Sequence, residues 1–431
     1  MPDTVNVLLI GGGGREHAIA SALSRSPRLG RLYVTHPENP GLAALGTPVD
    51  VPVNIREIYR LVQFCEHKQI GLVVIGPEDP LAEGYADKLA AAGRLVFGPN
   101  REGAQIESDK AWAKQLMRGA AIPTAESRTF TDAQAAIAYL ESREHAPVVK
   151  AAGLAKGKGV FVPATIAEAI DAVKRIMIAK EFGEAGRKVL LEERLTGPEV
   201  SVLAIVDGRT IMLLPPAQDH KRLLDGDKGP NTGGMGVYCP ANVLTDAQME
   251  RVERDVLVPA VDAMRRDGID YKGVLYAGLM LTPSGPKVLE FNCRFGDPEC
   301  QAILPRLKAD LLEIMLAACK GELDACDVAW DSSPACCVVL ASEGYPEKPR
   351  AGAVITGIDK AQAMPGVHVF HAGTKLNAKG EIVTAGGRVL SVTALGDTLA
   401  QARERAYAAC AAIEFPGKVM RTDIALAASR A

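Results

Sequence analysis

Two stretches of this chain carry residues suited to chemistry on phosphate groups. The first is the run KAAGLAKGKG at 150–159, set between two short apolar segments. Its lysines, Lys150, Lys156 and Lys158, can neutralise a polyphosphate, and Gly153, Gly157 and Gly159 let the backbone close over it. This is not a Walker A loop. Only three residues separate Gly153 from Gly157, Gly159 stands where a Ser or Thr would hold magnesium, and the setting is strand–loop–strand rather than strand–loop–helix. A purely structural hairpin would have little use for so many lysines. The second stretch is KVLEFNCR at 287–294. Side chains repeat every two residues along a strand, so Glu290, Asn292 and Arg294 share one face and Leu289, Phe291 and Cys293 the other. A carboxylate beside an amide oxygen suits a hard divalent cation that also binds phosphate. Arg294 could clamp a transferring phosphoryl group or a carboxylate. Asp297 and Glu299 follow after a tight turn. The competing reading is a polar sheet face open to water, which the lysine-rich loop upstream weakens.

Near the N-terminus, GGGGREH at 11–17 follows a strand and opens a helix. Successive glycines and a helix N-terminus favour an anion. The dinucleotide fingerprint fails, because Glu16 stands where its last glycine belongs and Thr35 and His36 follow the second strand where an acid should stand. A nicotinamide cofactor is therefore disfavoured. A tight turn without a ligand is the competing reading, and His17 taken alone is more often structural than catalytic. Glu78 and Asp79 in GPEDP at 76–80 suit either a solvated turn or a ligand contact. In LLEERLTGPE at 190–199, an interdomain hinge could read an adenine edge and a later carboxylate could accept ribose hydroxyls. From spacing alone, a solvated charged loop is the simpler reading.

These residues need elements to position them. Residues 1–100 alternate strand patterns (5–10, 31–35, 71–75, 94–98) with helical ones (16–24, 55–68), which predicts a parallel sheet wrapped by helices. Ligands collect at the carboxyl ends of such strands, where the loops 11–17, 76–80 and 98–100 fall. A helix over 109–119 leads into a compact α+β unit. Antiparallel pairs follow, with Asp207-Gly208 and Ser284-Gly285 as turns. A helix at 309–319 precedes a last α/β unit. The expected boundaries are an N-terminal α/β domain at 1–104, a linking helix at 105–122, a lid subdomain at 123–193, a central subdomain at 194–325 and a C-terminal α/β domain at 326–431.

A chain of 431 residues exceeds one ordinary core and fits this division. A net charge of −3 gives no broad basic field for nucleic acid, so an anionic ligand must be held locally. No apolar run reaches the roughly eighteen residues of a membrane helix, and the N-terminus has an acid where a signal peptide wants basic residues. The reading is a cytoplasmic protein. Nine cysteines without a C-x-x-C pair argue against structural zinc and read as small buried hydrophobes.

Several motifs together resemble one family. GGREH at 13–17, GPE at 76–78, QDHKR at 218–222, GPNTGGMG at 229–236, YAGLM at 276–280, EFNCRFGDPE at 290–299 and HAGT at 371–374 are similar to glycinamide ribonucleotide synthetases, over nearly the whole chain. The resemblance implies an ATP-grasp fold, in which two α+β subdomains hold ATP between an N-terminal and a C-terminal α/β domain. It implies ligation of glycine to 5-phosphoribosylamine through glycyl phosphate, with ATP and Mg2+ or Mn2+, in de novo purine synthesis. It places the metal on Glu290 and Asn292. It places ATP on Lys110, Lys150, Gly157, Lys158, Gly159, the hinge residues Glu192, Glu193 and Leu195, and Glu199. Substrates fall to Gly13, Gly14, Arg15, Glu16, His17, Glu78, Asp219, Lys221, Arg294 and Asp297. Arg294, Lys158 and Asp297 are the expected catalytic groups. The expected assembly is a monomer acting on small molecules, without nucleic acid or membrane. Two departures stand out. The family loop commonly has an acid where Ala152 stands and an alanine at Lys156, and the family commonly has a serine before QDHKR, where Ala217 stands. Another carboxylate–amine ligase of the same fold and a non-catalytic nucleotide sensor are the rival readings.

Overall fold

The computed structural model describes residues 4–155 and 158–430. Its first unit is a five-stranded parallel sheet. The strands are β1 (Val5–Ile10), β2 (Leu29–Val34), β3 (Thr47–Pro48), β4 (Ile70–Ile75) and β5 (Leu95–Phe97), in the order β3-β2-β1-β4-β5. The apolar runs VNVLLI and IGLVVI are covered on both faces, as parallel strands require. The helix Gly14–Leu23 leaves the end of β1, and its Ile19 and Leu23 are fully buried. Both loops named from the sequence, 11–17 and 76–80, leave the carboxyl ends of the adjacent strands β1 and β4.

The second unit holds β6 (Ser127–Phe130), β7 (Val148–Ala151), β8 (Val160–Phe161) and β9 (Val189–Glu192) in an antiparallel sheet ordered β6-β9-β7-β8. Its helix starting at Ile166 is α-helical to Val173 and continues as a π-turn over Lys174–Ile178. Phe130, Leu140, Val149, Val173, Val189 and Leu191 form a small core separate from the rest of the molecule. A separate core lets this lid hold its shape independently of what it packs on.

The third unit is built on β10 (Glu199–Asp207) and β11 (Ile211–Leu213). Four short strands follow: β12 (Gln218–Asp219), β13 (Arg222–Leu224), β14 (Lys228–Asn231) and β15 (Gly236–Cys239). The long hairpin of β16 (Lys272–Thr282) and β17 (Gly285–Asn292) completes it. The main sheet runs β11-β10-β16-β17, with Asp207-Gly208 and Ser284-Gly285 at its turns. The ladder shifts by one residue between Gly278/Glu290 and Leu279/Val288, a bulge just before the polar face of β17.

The last unit contains β18 (Ala335–Ser342), β19 (Val367–His371), β20 (Thr374–Leu376), β21 (Ile382–Thr384), β22 (Arg388–Leu395) and β23 (Lys418–Val419). Its sheet is not self-contained, because β12 and β15 extend it in the order β12-β15-β18-β22-β19. The third and fourth units therefore share a hydrogen-bonded ladder. On β18, Cys336 and Cys337 point into different cores, as strand alternation demands. All nine cysteines are free and eight are buried.

Candidate active site

The polar face of β17 lies beneath the lid. Cross-strand pairing sets Ser201, Gly278 and Glu290 in one row, and Leu203, Tyr276 and Asn292 in the next. Directly opposed residues of an antiparallel ladder project to the same side, so these two rows line one floor. The lid reaches it through Lys150, whose Nζ donates to the Leu289 carbonyl at 3.2 Å. Thr124 Oγ1 donates to the Val288 carbonyl at 2.6 Å and closes the same seam.

Glu290 has no ion-pair partner among the described residues. Burial alone would raise its pKa, but Lys221, Lys110, Lys150 and Arg294 outweigh burial and hold it below the usual carboxylate range. An ionised carboxylate left unpaired amid four cations is poised for a further ligand. Asn292 Oδ1 accepts from Arg294 at 3.2 Å. Among the described residues no cluster of three or more His, Cys, Asp or Glu side chains could hold a metal by itself. Two oxygen donors fit Mg2+, which takes one or two protein ligands and completes its shell with water and phosphate oxygens.

Arg294 is locked from two sides. Its guanidinium donates to Glu78 at 3.1 Å and to Glu107 at 2.8 Å. Burial would lower its pKa, but the two carboxylates outweigh this and raise it. Burial would likewise raise Glu78, yet Arg294 and Arg15 bring it down to about 2. Burial raises the Glu107 pKa against the pull of Arg294, and Glu107 also accepts from the Cys293 amide at 2.8 Å. The sequence reading missed Glu107, whose partners lie 186 and 187 residues away.

The phosphate lysines show a second omission. Glu192 is buried between Lys150 at 2.8 Å and Lys114 at 3.4 Å. Its side chain thus orients a lysine, and only its backbone is left for a hinge role. Lys114 also donates to Thr124 Oγ1 at 2.7 Å, and burial, with Lys150 nearby, brings its pKa down to about 8. A signal for Lys114 exists in the sequence, since it follows Lys110 by one helical turn. Lys110 opens the helix Lys110–Gly119, and its amide donates to the Ala152 carbonyl. Lys158 is exposed and Gly159 buried, with the Gly159 carbonyl bonded to the Ala151 amide. Gly157 and the departure Lys156 lie outside the described residues. Glu193 is exposed 3.6 Å from Lys287, Leu195 is half-buried, and Glu199 pairs with Lys221 at 2.9 Å.

In the glycine loop, close packing explains much of the composition. A Cβ on Gly12 would stand 2.7 Å from the His36 side chain, and one on Gly14 would stand 2.7 Å from Gln301. Glu16 turns inward and accepts from the Gly13 amide at 2.6 Å and from Arg15 Nε at 2.6 Å. His17 Nδ1 accepts from the His371 amide at 2.8 Å, tying the first unit to the last. Burial and neighbouring His371 bring the His17 imidazole down to about 3, so it is neutral. The amides of Gly14 and Arg15 make no hydrogen bond among the described residues. Arg15 also faces Glu78 at 3.8 Å. Asp297 lies by this loop, held by Gln301 Nε2 at 2.7 Å and Arg388 at 3.2 Å. Glu299 is buried and accepts from Tyr276 at 2.8 Å and Ser201 at 3.0 Å. Ala217 is fully buried and its backbone pairs with Ser201, so a hydroxyl at 217 would lie inside the protein.

The site thus assembles a floor with two oxygen donors, lysines from the lid and from the helix Lys110–Gly119, a clamped arginine and a helix N-terminus with two unbonded amides. Family profiles match three successive stretches: phosphoribosylglycinamide synthetase N domain over 5–107, its ATP-grasp (A) domain over 108–300 and its C domain over 335–427. The phosphoribosylamine–glycine ligase of Rhodopirellula baltica is 51% identical, with 97% of each chain covered. The crystal structure of the Thermotoga maritima phosphoribosylamine–glycine ligase superposes with a TM-score of 0.84 at 32% identity, over 97% of this chain and 100% of that one. A Hydrogenobacter thermophilus biotin carboxylase domain superposes at 0.76 with 15% identity, over 97% of this chain and 92% of that one. At that identity the likeness is one of fold alone.

Proposed function

The chain belongs to the phosphoribosylglycinamide synthetase family, and on that footing we propose that it joins glycine to 5-phosphoribosylamine, driven by ATP. The products are glycinamide ribonucleotide, ADP and phosphate, an early step of de novo purine synthesis. The observation that carries the reading is Glu290, an unpaired carboxylate held below the usual carboxylate range by Lys221, Lys110, Lys150 and Arg294.

The steps follow from the residues around it. A carboxylate is a poor acyl donor until activated. Its oxygen attacks the γ-phosphorus of ATP, the bond from that phosphorus to the β,γ-bridging oxygen breaks, and glycyl phosphate and ADP result. Lys110, Lys150 and Lys158 offset the phosphate charge, with Lys150 aimed by Glu192. Arg294, fixed by Glu78 and Glu107, stabilises the transferring phosphoryl group. Glu290 and Asn292 would hold Mg2+, or Mn2+ in its place, which supplies charge neutralisation on that group. The amine nitrogen then attacks the acyl carbon, loses a proton, and phosphate departs. The open amides of Gly14 and Arg15, with Arg15 itself, suit the 5-phosphate of the sugar. Asp297 stands by that loop and positions the amine. Hinge backbone around 192–195 would read the adenine edge, and Glu199 would take the ribose hydroxyls. The lysine-rich loop, when closed, would keep water from the acyl phosphate.

The test is ADP release by the purified protein with phosphoribosylamine generated in situ. The expected result is turnover that needs both glycine and the sugar amine, with glycinamide ribonucleotide detected by mass. Turnover with another acid–amine pair and none with this one would overturn the proposal.

A further inference from the structure

The strands β13 and β14 form a short hairpin that the last unit grips by its tip. Among the described residues no other strand pairs with this hairpin, and a two-stranded hairpin is marginal by itself in water. Its turn adds to the demand, because Gly226 (φ +68°) and Asp227 (φ +53°) both take the left-handed backbone. The segment 421–423, which follows β23, meets this turn. Arg421 is fully buried. It donates to Asp227 Oδ1 at 2.7 Å and to the Arg222 carbonyl at 3.2 Å. Its other edge holds Asp423 through two bonds of 2.7 Å. Asp423 in turn accepts the Gly226 amide at 2.8 Å, and Asp225 accepts the Thr422 amide at 2.7 Å. The helix Leu399–Ala412 seats this segment, with Tyr407 donating to the Arg421 carbonyl at 2.9 Å and Arg403 to the Thr422 carbonyl at 2.6 Å.

The base of the hairpin lies at the reaction site. The Lys221 carbonyl accepts the Thr232 amide and the Thr232 hydroxyl, each at 2.8 Å, so Lys221 and Thr232 close the hairpin between them. Lys221 Nζ pairs with Glu199 at 2.9 Å, and it is the strongest of the cations that oppose burial at Glu290. The Arg222 carbonyl that Arg421 binds belongs to the next residue along. We propose that Arg421 is a positioning residue, through which the last unit fixes the backbone carrying Lys221 by gripping both the turn and the Arg222 carbonyl. The inference rests on the reading above only for the part Lys221 plays in the reaction. A buried guanidinium is costly unless paired, and two of its four bonds here go to the hairpin rather than to its own unit. Packing alone would need neither the charge nor the planar fork, whereas a fork can hold a carboxylate on one edge and a turn on the other.

The experiment uses the full chain as wild type, Arg421→Lys and Asp227→Asn, each also combined with Lys221→Met. Lysine keeps the charge and loses the fork. The Asp227 side chain is 74% exposed and asparagine tolerates the left-handed backbone, so Asp227→Asn decides the matter if Arg421→Lys does not fold. With Lys221 present, both changes should lower kcat/KM for glycine by about fivefold or more. In the Lys221→Met background they should alter it by less than about twofold, because a residue that acts through another is not additive with it. An equal fall in both backgrounds, or no fall in folded Asp227→Asn, overturns the positioning role. Hydrogen exchange supplies a readout apart from activity. The Thr232 amide, bonded to the Lys221 carbonyl, should exchange about tenfold faster in either variant, and unchanged exchange overturns the grip on Lys221 even if activity falls. Wild type without glycine-dependent turnover overturns the reaction, and the Thr232 amide then decides by itself whether Arg421 holds Lys221.

Discussion

His17 offers a quantitative test of how the first and last units are joined. The imidazole is 8% exposed, packs edge-on against Phe370 at 5.6 Å and accepts the His371 amide at Nδ1. Burial and His371 bring its pKa from 6.5 to about 3. In the unfolded chain a histidine takes a proton below about pH 6.5. The folded protein does not until about pH 3, so between these values the unfolded state binds more protons. The stability associated with neutral His17 is fully present above pH 6.5 and is lost progressively as pH falls toward 3. At about 1.4 kcal/mol per pH unit, acidification from 6.5 to 5 removes about 2 kcal/mol through this residue. Asn at position 17 can still accept the His371 amide but cannot titrate. His17→Asn should cost about 1–3 kcal/mol at neutral pH through lost ring packing. It should then lose about 2 kcal/mol less than wild type on going to pH 5. His371, brought by burial to about 4, titrates in both proteins and cancels in the comparison. Urea denaturation at the two pH values measures the difference. Equal losses in both proteins would refute the buried, neutral assignment.

Three further predictions concern the site. Glu290→Ala removes the unpaired carboxylate and should lower kcat by about 100-fold or more, with an unchanged thermal transition; normal turnover would exclude Glu290 as a metal ligand. Glu107→Gln weakens one of the two clamps on Arg294, and kcat/KM should fall by about tenfold or more; activity equal to wild type would show that Glu78 alone positions the guanidinium. Glu192→Gln frees Lys150 and Lys114 from their shared carboxylate. The ATP KM should then rise by about tenfold while the glycine KM changes by less than about twofold, and equal changes in both would assign Glu192 to general packing.

Local information carried much of this in the sequence itself. Asp207-Gly208 and Ser284-Gly285 gave the two hairpins, because a tight turn depends on the residues in it. Strand alternation put Glu290 and Asn292 on one face. The parallel sheet followed from alternating strand and helix patterns, and its loops fell at the strand ends. Motif spacing was enough to tell the lysine-rich loop from a Walker A loop.

What each polar group touches was decided by the tertiary structure. Glu16 and His17 stand in a motif suited to an anion, yet one caps its own loop and the other accepts an amide 354 residues away. Glu192 belongs by position to a hinge, and its side chain instead bridges two lysines. Glu107 carries no local signature, because its partners lie nearly two hundred residues further along. The β12 and β15 strands join the C-terminal sheet although they are formed by the segment before the central hairpin. The physical reason is the same in each case. Backbone periodicity and turn geometry are set by neighbouring residues, whereas charge pairing and desolvation depend on which distant groups the fold brings within a few ångströms, and pKa values follow from that proximity.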